Sequence, residues 1–234
     1  MTFRELINEV LIRLREETIS IDWDGNINDS TLVSDYHKVI GSLVNDSKRH
    51  AESTHDWITL RDTYILTTAN GTMQYALGNE TSGAGINFKV LDVINQETGR
   101  HLTQASNAWL NARAFPVDKV ATGEPMHYGF NGSTARSGGR PNDMNVDLYP
   151  VPTDTQSINF NIVKPQDQLR KADDILSVPT QPVILGAWAR AISERGEDGG
   201  TQSNLAAAEA TQSLREAIML DSGNTEFETD WYIG

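Results

Sequence analysis

The chain has 234 residues, a formal net charge of −13 and no cysteine. The length fits one large domain or two small ones and is enough for a hydrophobic core without disulfides. The lack of cysteine excludes disulfide scaffolds, thiolate metal sites and cysteine nucleophiles, and it favours synthesis in a reducing cytoplasm. No apolar run approaches the roughly 20 residues of a membrane span, and the N-terminus has no signal-peptide core. The negative charge argues against a protein that binds nucleic acid tightly through its phosphates, because lysine and arginine provide that affinity.

The charge is concentrated at the two ends of the chain. Residues 1–57 carry a net −5, residues 58–165 a net −1, and residues 166–234 a net −7. Helical and strand patterns change near the same positions, so charge and periodicity predict the same division. We expect a discontinuous helical domain over 1–57 and 166–223, an inserted β domain over 58–165 and an extended C-terminal tail over 224–234.

Two helices are predicted near the N-terminus. Apolar residues recur with helical spacing from Phe3 to Leu14, and Thr2 with Glu5 has the pattern of a capping box. A second stripe begins at Leu32 and predicts a helix over residues 30–56, about 40 Å long at ~1.5 Å per residue.

The start and the continuity of this second helix depend on three residues. Asp29 or Ser30 is the expected cap, because short polar side chains accept hydrogen bonds from the first helical amides. Whether the helix runs unbroken through Gly41 stays open, since a central glycine costs a helix about 1 kcal/mol relative to alanine.

The middle of the chain shows strand patterns separated by turn residues. Three hairpins are expected: Ile58–Leu66 with Met73–Leu77, Phe88–Asn95 with Arg100–Thr103, and Met144–Tyr149 with Ser157–Val163. A short helix is predicted over 104–114, a further strand over 126–130 and a long mobile loop over 131–143.

The last third is helical again. Thr180 and Pro182 mark a helix start, since proline is tolerated in the first turn. Gly196 ends this helix, and Ser203 is expected to cap another that ends at Gly223. Each of the four long helices has an apolar stripe that must be buried, so the predicted fold is α+β: a four-helix bundle with an inserted antiparallel β domain.

The sequence contains no catalytic constellation. Five histidines are scattered along it: His37, His50, His55, His101 and His127. None forms a metal-binding pair on one helix face, and no nucleophile elbow, phosphate loop or dinucleotide fingerprint is present. We therefore expect no catalytic, cofactor or metal site and no enzymatic activity.

The segment from Ser20 to Thr31 has part of the pattern of a calcium-binding loop. Asp22, Asp24 and Gly25 fit such a loop, but Ser20 stands where its first aspartate belongs and Thr31 where its bidentate glutamate belongs. A polar turn between helices is the preferred interpretation, because Asp, Asn and Gly also favour turns.

The C-terminal segment combines aromatic and acidic residues without helical periodicity. Its candidate binding residues are Phe227, Trp231, Tyr232 and Ile233. Aromatic side chains give large contact areas at low entropic cost, which suits a terminus that docks in a partner. A frayed end, or a segment folded back on its own bundle, is the alternative.

Four segments carry a resemblance to a known family. Val44–Leu60 resembles the end of the second helix of tailed-phage head–tail adaptors. Asp147–Pro152, followed by Asp174–Pro179 and Gly186–Glu197, resembles the β-to-helix transition and the third helix of the same family. This family includes the tail tubular protein A of short-tailed phages, and the order of elements agrees along nearly the whole chain.

The resemblance implies a virion structural protein at the head–tail junction. It implies a ring, usually of twelve copies, that binds the portal protein, joins it to a tail nozzle or tail tube protein, and passes DNA without sequence-specific binding. It also implies a C-terminal segment that reaches into the portal or embraces a neighbouring subunit, a role that by position would fall to Phe227, Trp231, Tyr232 and Ile233.

A binding module is the alternative function. In it the β domain would recognise a carbohydrate or a protein through aromatic residues near the 131–143 loop, namely Trp109, Phe115, Tyr128 and Phe130. These residues also suit the core of a β domain.

Overall fold

The structure is a computed structural model that describes residues 1–78, 85–114, 120–134, 142–196 and 200–223. These described residues form two compact units, one within residues 1–60 and 165–223 and one within residues 61–164. The first unit contains helices and the second contains the strands, which confirms the predicted α+β class.

The helical unit has four α-helices among its described residues. They are α1 (Phe3–Leu14), α2 (Asp35–Thr54), α4 (Thr180–Arg195) and α5 (Thr201–Gly223), with 3-10 turns at Ile27–Asp29 and Ile58–Leu60. Helix α4 contacts α1, α2 and α5, and α1 also contacts α2. Of the helices in this unit, α4 is therefore buried on more than one side.

Helix α1 begins with the predicted capping box. The Thr2 hydroxyl accepts from the Glu5 amide at 3.3 Å, and the Glu5 carboxylate accepts from the Thr2 amide at 2.8 Å. The hydrogen bond from the Thr2 backbone, together with the Thr2 side chain, holds the pKa of the Glu5 carboxylate below its usual value. The predicted apolar stripe is also confirmed, since Phe3, Leu6, Ile7, Val10 and Leu11 are fully buried.

Helix α2 starts later than predicted. Its cap is Ser34, whose hydroxyl accepts from the His37 amide at 3.3 Å, so the expected caps Asp29 and Ser30 are wrong. Ser30 instead accepts from the Leu32 amide and makes a local turn. A hydroxyl that satisfies a nearby amide competes with helix formation, which delays the helix by one turn.

The helix is continuous through Gly41. A β-carbon at this position would lie 3.2 Å from side-chain atoms of Phe3 and Ile27, so the glycine allows α1 and the 3-10 turn to approach α2 closely.

Residues 165–179, here called the return segment, lead from the last strand to α4 and lie against α2. The Asn45 side chain accepts from the Leu169 amide at 2.9 Å and donates to the Leu169 carbonyl at 3.0 Å. One turn further along α2, Lys48 and Glu52 form an ion pair in which each side chain is 3% exposed. Lys48 donates to the Gln166 carbonyl at 2.6 Å, and Glu52 accepts from the Gln166 amide at 3.1 Å.

These contacts satisfy the backbone of the return segment with side chains of one helix. A buried polar group that lacks its partner costs roughly 1–3 kcal/mol, so Asn45, Lys48 and Glu52 determine where this segment lies. The indole N–H of Trp23 adds a further bond to the Arg170 carbonyl at 2.9 Å.

The β unit contains seven strands and one helix among its described residues. They are β1 (Arg61–Thr67), β2 (Gln74–Ala76), β3 (Lys89–Asn95), β4 (Thr103–Gln104), α3 (Asn107–Ala114), β5 (His127–Thr134), β6 (Asp143–Tyr149) and β7 (Ser157–Val163). One sheet has the order β1-β7-β3 and the other β2-β6-β5-β4. All pairs are antiparallel except β4 with β5. Strand β5 and the start of β6 occupy both ends of the predicted 131–143 loop, and its residues 135–141 lie outside the described residues.

The first and third predicted hairpins are wrong, although their strands exist. Strand β1 pairs with β7, and β2 pairs with β6, so each expected partner lies in the other sheet. The connections after β1 and after β6 run side by side, with Thr68 donating to the Gln156 carbonyl at 2.8 Å and Gly71 to the Pro152 carbonyl at 2.9 Å. Each of these connections leads from one sheet to the other. Side chains from both sheets form one core, which includes Phe160, Leu148 and Val93.

The second predicted hairpin is present around its turn. The Asn95 amide donates to the Arg100 carbonyl at 2.9 Å, and the Leu102 amide donates to the Val93 carbonyl at 2.8 Å. The returning chain then leaves β3, because Thr103–Gln104 pairs in parallel with β5. The predicted 104–114 helix appears as α3 and packs against β5 and β6.

Replacing Glu52 by glutamine tests the buried ion pair. The variant leaves the Lys48 ammonium buried without a counter-charge, so the free energy of unfolding should fall by about 3 kcal/mol in denaturant titrations followed by far-ultraviolet circular dichroism. The double variant Lys48→Met with Glu52→Leu should lose less than Glu52→Gln alone.

The matched control is Asp46→Asn, which breaks an exposed pair with Arg49 on the same helix. Its effect should stay below about 0.5 kcal/mol, as exposed pairs contribute little. Equal stability of Glu52→Gln and the wild-type chain would refute the role of the pair.

Replacing Gly129 by alanine tests the packing of α3 on the sheet. The new methyl carbon would lie 2.5 Å from Leu110 Cδ1 and 2.8 Å from the Ala105 carbonyl oxygen. Such crowding should destabilise the protein by about 1–3 kcal/mol in thermal or denaturant unfolding. The exposed neighbour Ser133→Ala should be close to neutral, and an unchanged stability of Gly129→Ala would contradict the observed packing.

Candidate functional site

A cleft of about 220 Å³ lies between α2, α4 and α5 in the helical unit. Small residues make it possible. A β-carbon on Gly186 would lie 2.2 Å from the Ser47 hydroxyl oxygen, so α4 and α2 are in close contact here. Ala207 and Ala210 of α5 form the opposite wall.

Polar side chains border the cleft at Ser47, His50, Arg190 and Thr211. The Thr211 hydroxyl donates to its own helix at Ala207, at 2.8 Å. Arg190 is half-buried, and its Nη1 donates to the Gly186 carbonyl at a long 3.5 Å. Within the described residues Arg190 forms no ion pair, and a half-buried guanidinium is suited to bind a carboxylate.

Arg190 also borders a second, shallower groove between α2 and α4. The other lining residues are Val39, Ser42, Leu43, Ser193 and Glu194. Val39 belongs to the apolar stripe predicted for the second helix, yet it is exposed together with Leu32 and Tyr36. We call the surface formed by these six lining residues the α2–α4 groove.

The end of the groove is held by Arg195, the last residue of α4. Its guanidinium donates to the Glu16 carboxylate at 2.6 Å and to the Tyr36 hydroxyl at 3.1 Å. Glu16 follows α1, and Tyr36 is in the first turn of α2. The arginine therefore connects the ends of three helices that meet near the groove.

The last turn of α5 is fixed to the segment after α2. The Asp221 carboxylate accepts from the His55 imidazole at 2.9 Å and from the Ile58 amide at 3.2 Å. The His55 ring also packs edge-on against Trp57, with centroids 4.9 Å apart. The sequence predicted no role for His55, because its partner lies 166 positions away along the chain.

The Asp221→Ala variant tests this attachment. Removing the carboxylate leaves the Ile58 amide and the His55 imidazole without their acceptor, which should destabilise the last turns of α5 by about 1–2 kcal/mol. Hydrogen exchange of amides 215–223 should accelerate, while exchange in α1 stays unchanged. Glu216→Ala, an exposed acidic position on the same helix, is the control. Unchanged exchange near Asp221 would show that the contact does not hold the helix end.

The candidate binding residues of the C-terminal segment lie outside the described residues. These are Phe227, Trp231, Tyr232 and Ile233. The structure describes the chain up to Gly223, at the end of the helix that Asp221 attaches.

The aromatic residues of the alternative binding function differ in position. Tyr128 is buried in the core of the β unit and Phe130 packs against that core, while Phe115 lies outside the described residues. Burial raises the pKa of the Tyr128 hydroxyl, and the charge of Asp92 adds to this effect. Two of the four residues therefore stabilise the β unit.

Trp109 is half-exposed and belongs to an aromatic cluster. Its ring meets His127 at 4.6 Å and Tyr149 at 5.5 Å between centroids, both edge-on. The Arg113 guanidinium lies over the Trp109 ring at 3.9 Å, so this cation occupies one face of the ring. That face is not free for the stacking that sugars require.

The segment from Ser20 to Thr31, which resembles a calcium-binding loop in part, is folded as a turn. Asp22 binds Arg4, Trp23 is buried, and Asn26 caps the 3-10 turn by accepting from the Asn28 amide at 3.1 Å. Across the described residues, no three histidine or acidic side chains are arranged to hold a metal ion.

The geometry is that of a helical scaffold with grooves between its helices and an attached β unit. The SU10 adaptor protein family matches residues 1–229, and the chain belongs to that family, a family of phage head–tail adaptors. The protein is thus a phage adaptor with a structural role. No curated protein matches the chain. Among the described residues, no helix combines the length and the apolar character needed to cross a bilayer.

Proposed function

We propose that the protein forms a ring at the head–tail junction of the virion, docks on the portal protein and joins it to a tail nozzle or tail tube protein. The observation that carries the proposal is the family match over residues 1–229. In this role the protein acts by assembly and not by catalysis. It would be made in the host cytoplasm and would form a ring of twelve copies.

The charge of the chain supports a channel through which DNA passes without adhesion. A net charge of −13 gives each subunit a surplus of acidic groups, and lysine and arginine are what hold phosphates. Repulsion from exposed carboxylates acts over a Debye length of about 8 Å in physiological salt, so it keeps a duplex off the wall of the channel.

The helical unit suits the rigid body of such a subunit. We propose that α1, α2, α4 and α5 act as one four-helix bundle, which the observed contacts of α4 with the other three helices support. In domain terms, the bundle covers 1–57 and 166–223, and the β domain covers 58–165. Similarity to tail tubular protein A of short-tailed phages is part of the proposal and stays a prediction.

The C-terminal segment is proposed to bind the portal or a neighbouring subunit. Its large apolar and aromatic residues, Phe227, Trp231, Tyr232 and Ile233, lie close to the acidic Glu226, Glu228 and Asp230, a composition that suits anchoring in a partner's pocket. The attachment of Asp221 to His55 supports this role, because it gives the segment a fixed starting point.

Electron microscopy of the purified protein mixed with a portal ring tests the proposal. The full chain should add a ring-shaped layer of density to one end of the portal. A chain that lacks residues 224–234 should bind the portal at least tenfold more weakly, with an unchanged circular dichroism spectrum. A protein that remains monomeric and leaves the portal bare would contradict the proposed function.

A further inference from the structure

Helix α5 has apolar residues on two opposite sides. Its inner side has Ser203, Ala206 and Leu214 buried in the helical unit. On the other side, Leu205 is 63% and Met219 is 73% exposed. A helix that is apolar on both sides is typical of a position between two partners, and α4 is the partner on one side only.

The exposed side is continuous along the helix. Leu205, Ala208, Gln212, Glu216 and Met219 follow one another at spacings of three, four, four and three residues, which places them on a single face. We call this set the outer face of α5. Gln212 donates to the Glu216 carboxylate at 3.0 Å, so the acid is held on this face between the two apolar ends.

The α2–α4 groove has properties that complement the outer face of α5, namely apolar side chains and a positive charge. It offers apolar contact at Val39 and Leu43, and it contains the half-buried guanidinium of Arg190. Among the described residues no carboxylate pairs with Arg190, and a planar guanidinium binds a carboxylate well when one is supplied. Glu194 stands at the rim of the groove, where it faces solvent.

We propose that the outer face of α5 in one copy docks in the α2–α4 groove of a second copy. Met219 covers the apolar part of the groove, and Glu216, one turn before it on α5, pairs with Arg190. The pairwise contact stands by itself, and the inference rests on the proposed function only in that repeated contacts close into a ring. It names the surfaces through which neighbouring subunits bind.

A second copy fits the groove better than two outer faces fit each other. If two α5 helices paired through this face, Glu216 and the flanking Glu209 would meet their own copies in a parallel pair. In an antiparallel pair centred on Gln212 and Ser213 they would meet each other, and like charges at close range repel in both cases. A contact between two different surfaces also repeats head to tail. Such heterologous contacts generate rings when the rotation closes.

The experiment mixes two variants of the full chain in sedimentation velocity runs, alone and with a portal ring. Arg190→Glu disables the groove, and Met219→Glu disables the outer face. Each variant alone should assemble at least tenfold more weakly than the wild-type chain. A one-to-one mixture should form dimers but no rings, because the groove of one variant and the outer face of the other remain intact.

Matched controls make the same chemical changes elsewhere on the helical unit. Arg170→Glu reverses an exposed charge, and Ile12→Glu replaces a side chain that is 57% exposed. Both should assemble like the wild-type chain. If circular dichroism shows that either test variant misfolds, Arg190→Gln and Met219→Gln replace the pair.

The outcomes separate this inference from the proposed function. Rings that form equally well with all variants would overturn the interface and leave the adaptor function in place. A mixture that stays monomeric while the wild-type chain forms rings would also overturn it. A wild-type chain that is monomeric both alone and with the portal would contradict the interface and the proposed function together.

Discussion

The buried ion pair between Lys48 and Glu52 is the constraint on which the helical unit depends. Two charges that are almost fully removed from water are tolerated only if both find partners, and here the backbone of Gln166 supplies the remaining ones. The pair therefore requires the chain to return to α2 after more than a hundred residues of β unit. Asn45, one turn earlier on α2, holds the return segment in the same way, since its side chain accepts from the Leu169 amide.

Once the return segment is bound to α2, the positions of α4 and α5 are largely determined. Helix α4 enters between α1 and α2 and is buried on several sides, while α5 packs on α4 and remains at the edge. Arg195 and Asp221 then join helix ends from both halves of the sequence. The resulting scaffold leaves a groove beside Arg190 and the outer face of α5 exposed, the two surfaces that we propose bind each other in neighbouring copies.

Local patterns in the sequence predicted the elements better than their partners. The capping box and stripe of α1 depend on neighbouring residues, and both are confirmed. Strand pairing depends on residues far apart: alternation identified β1 and β7 as strands but could not show that they pair with each other. The groove was missed for the same reason, because Arg190 and Val39 meet only after the return segment closes. The sequence offered one signal for the groove. Leu32, Tyr36 and Val39 widen the apolar stripe of the second helix beyond what one buried face needs, and these three residues are exposed.

Hydrogen exchange of the return segment tests the central claim most directly. The amides of Gln166 and Leu169 donate to side chains of α2 and belong to no helix or strand. If the segment is part of the helical core, these amides should exchange within about tenfold of the core amides of α2, since both open only with the whole unit. Exchange at the rate of an unfolded chain at Gln166 and Leu169, with α2 still protected, would contradict the account.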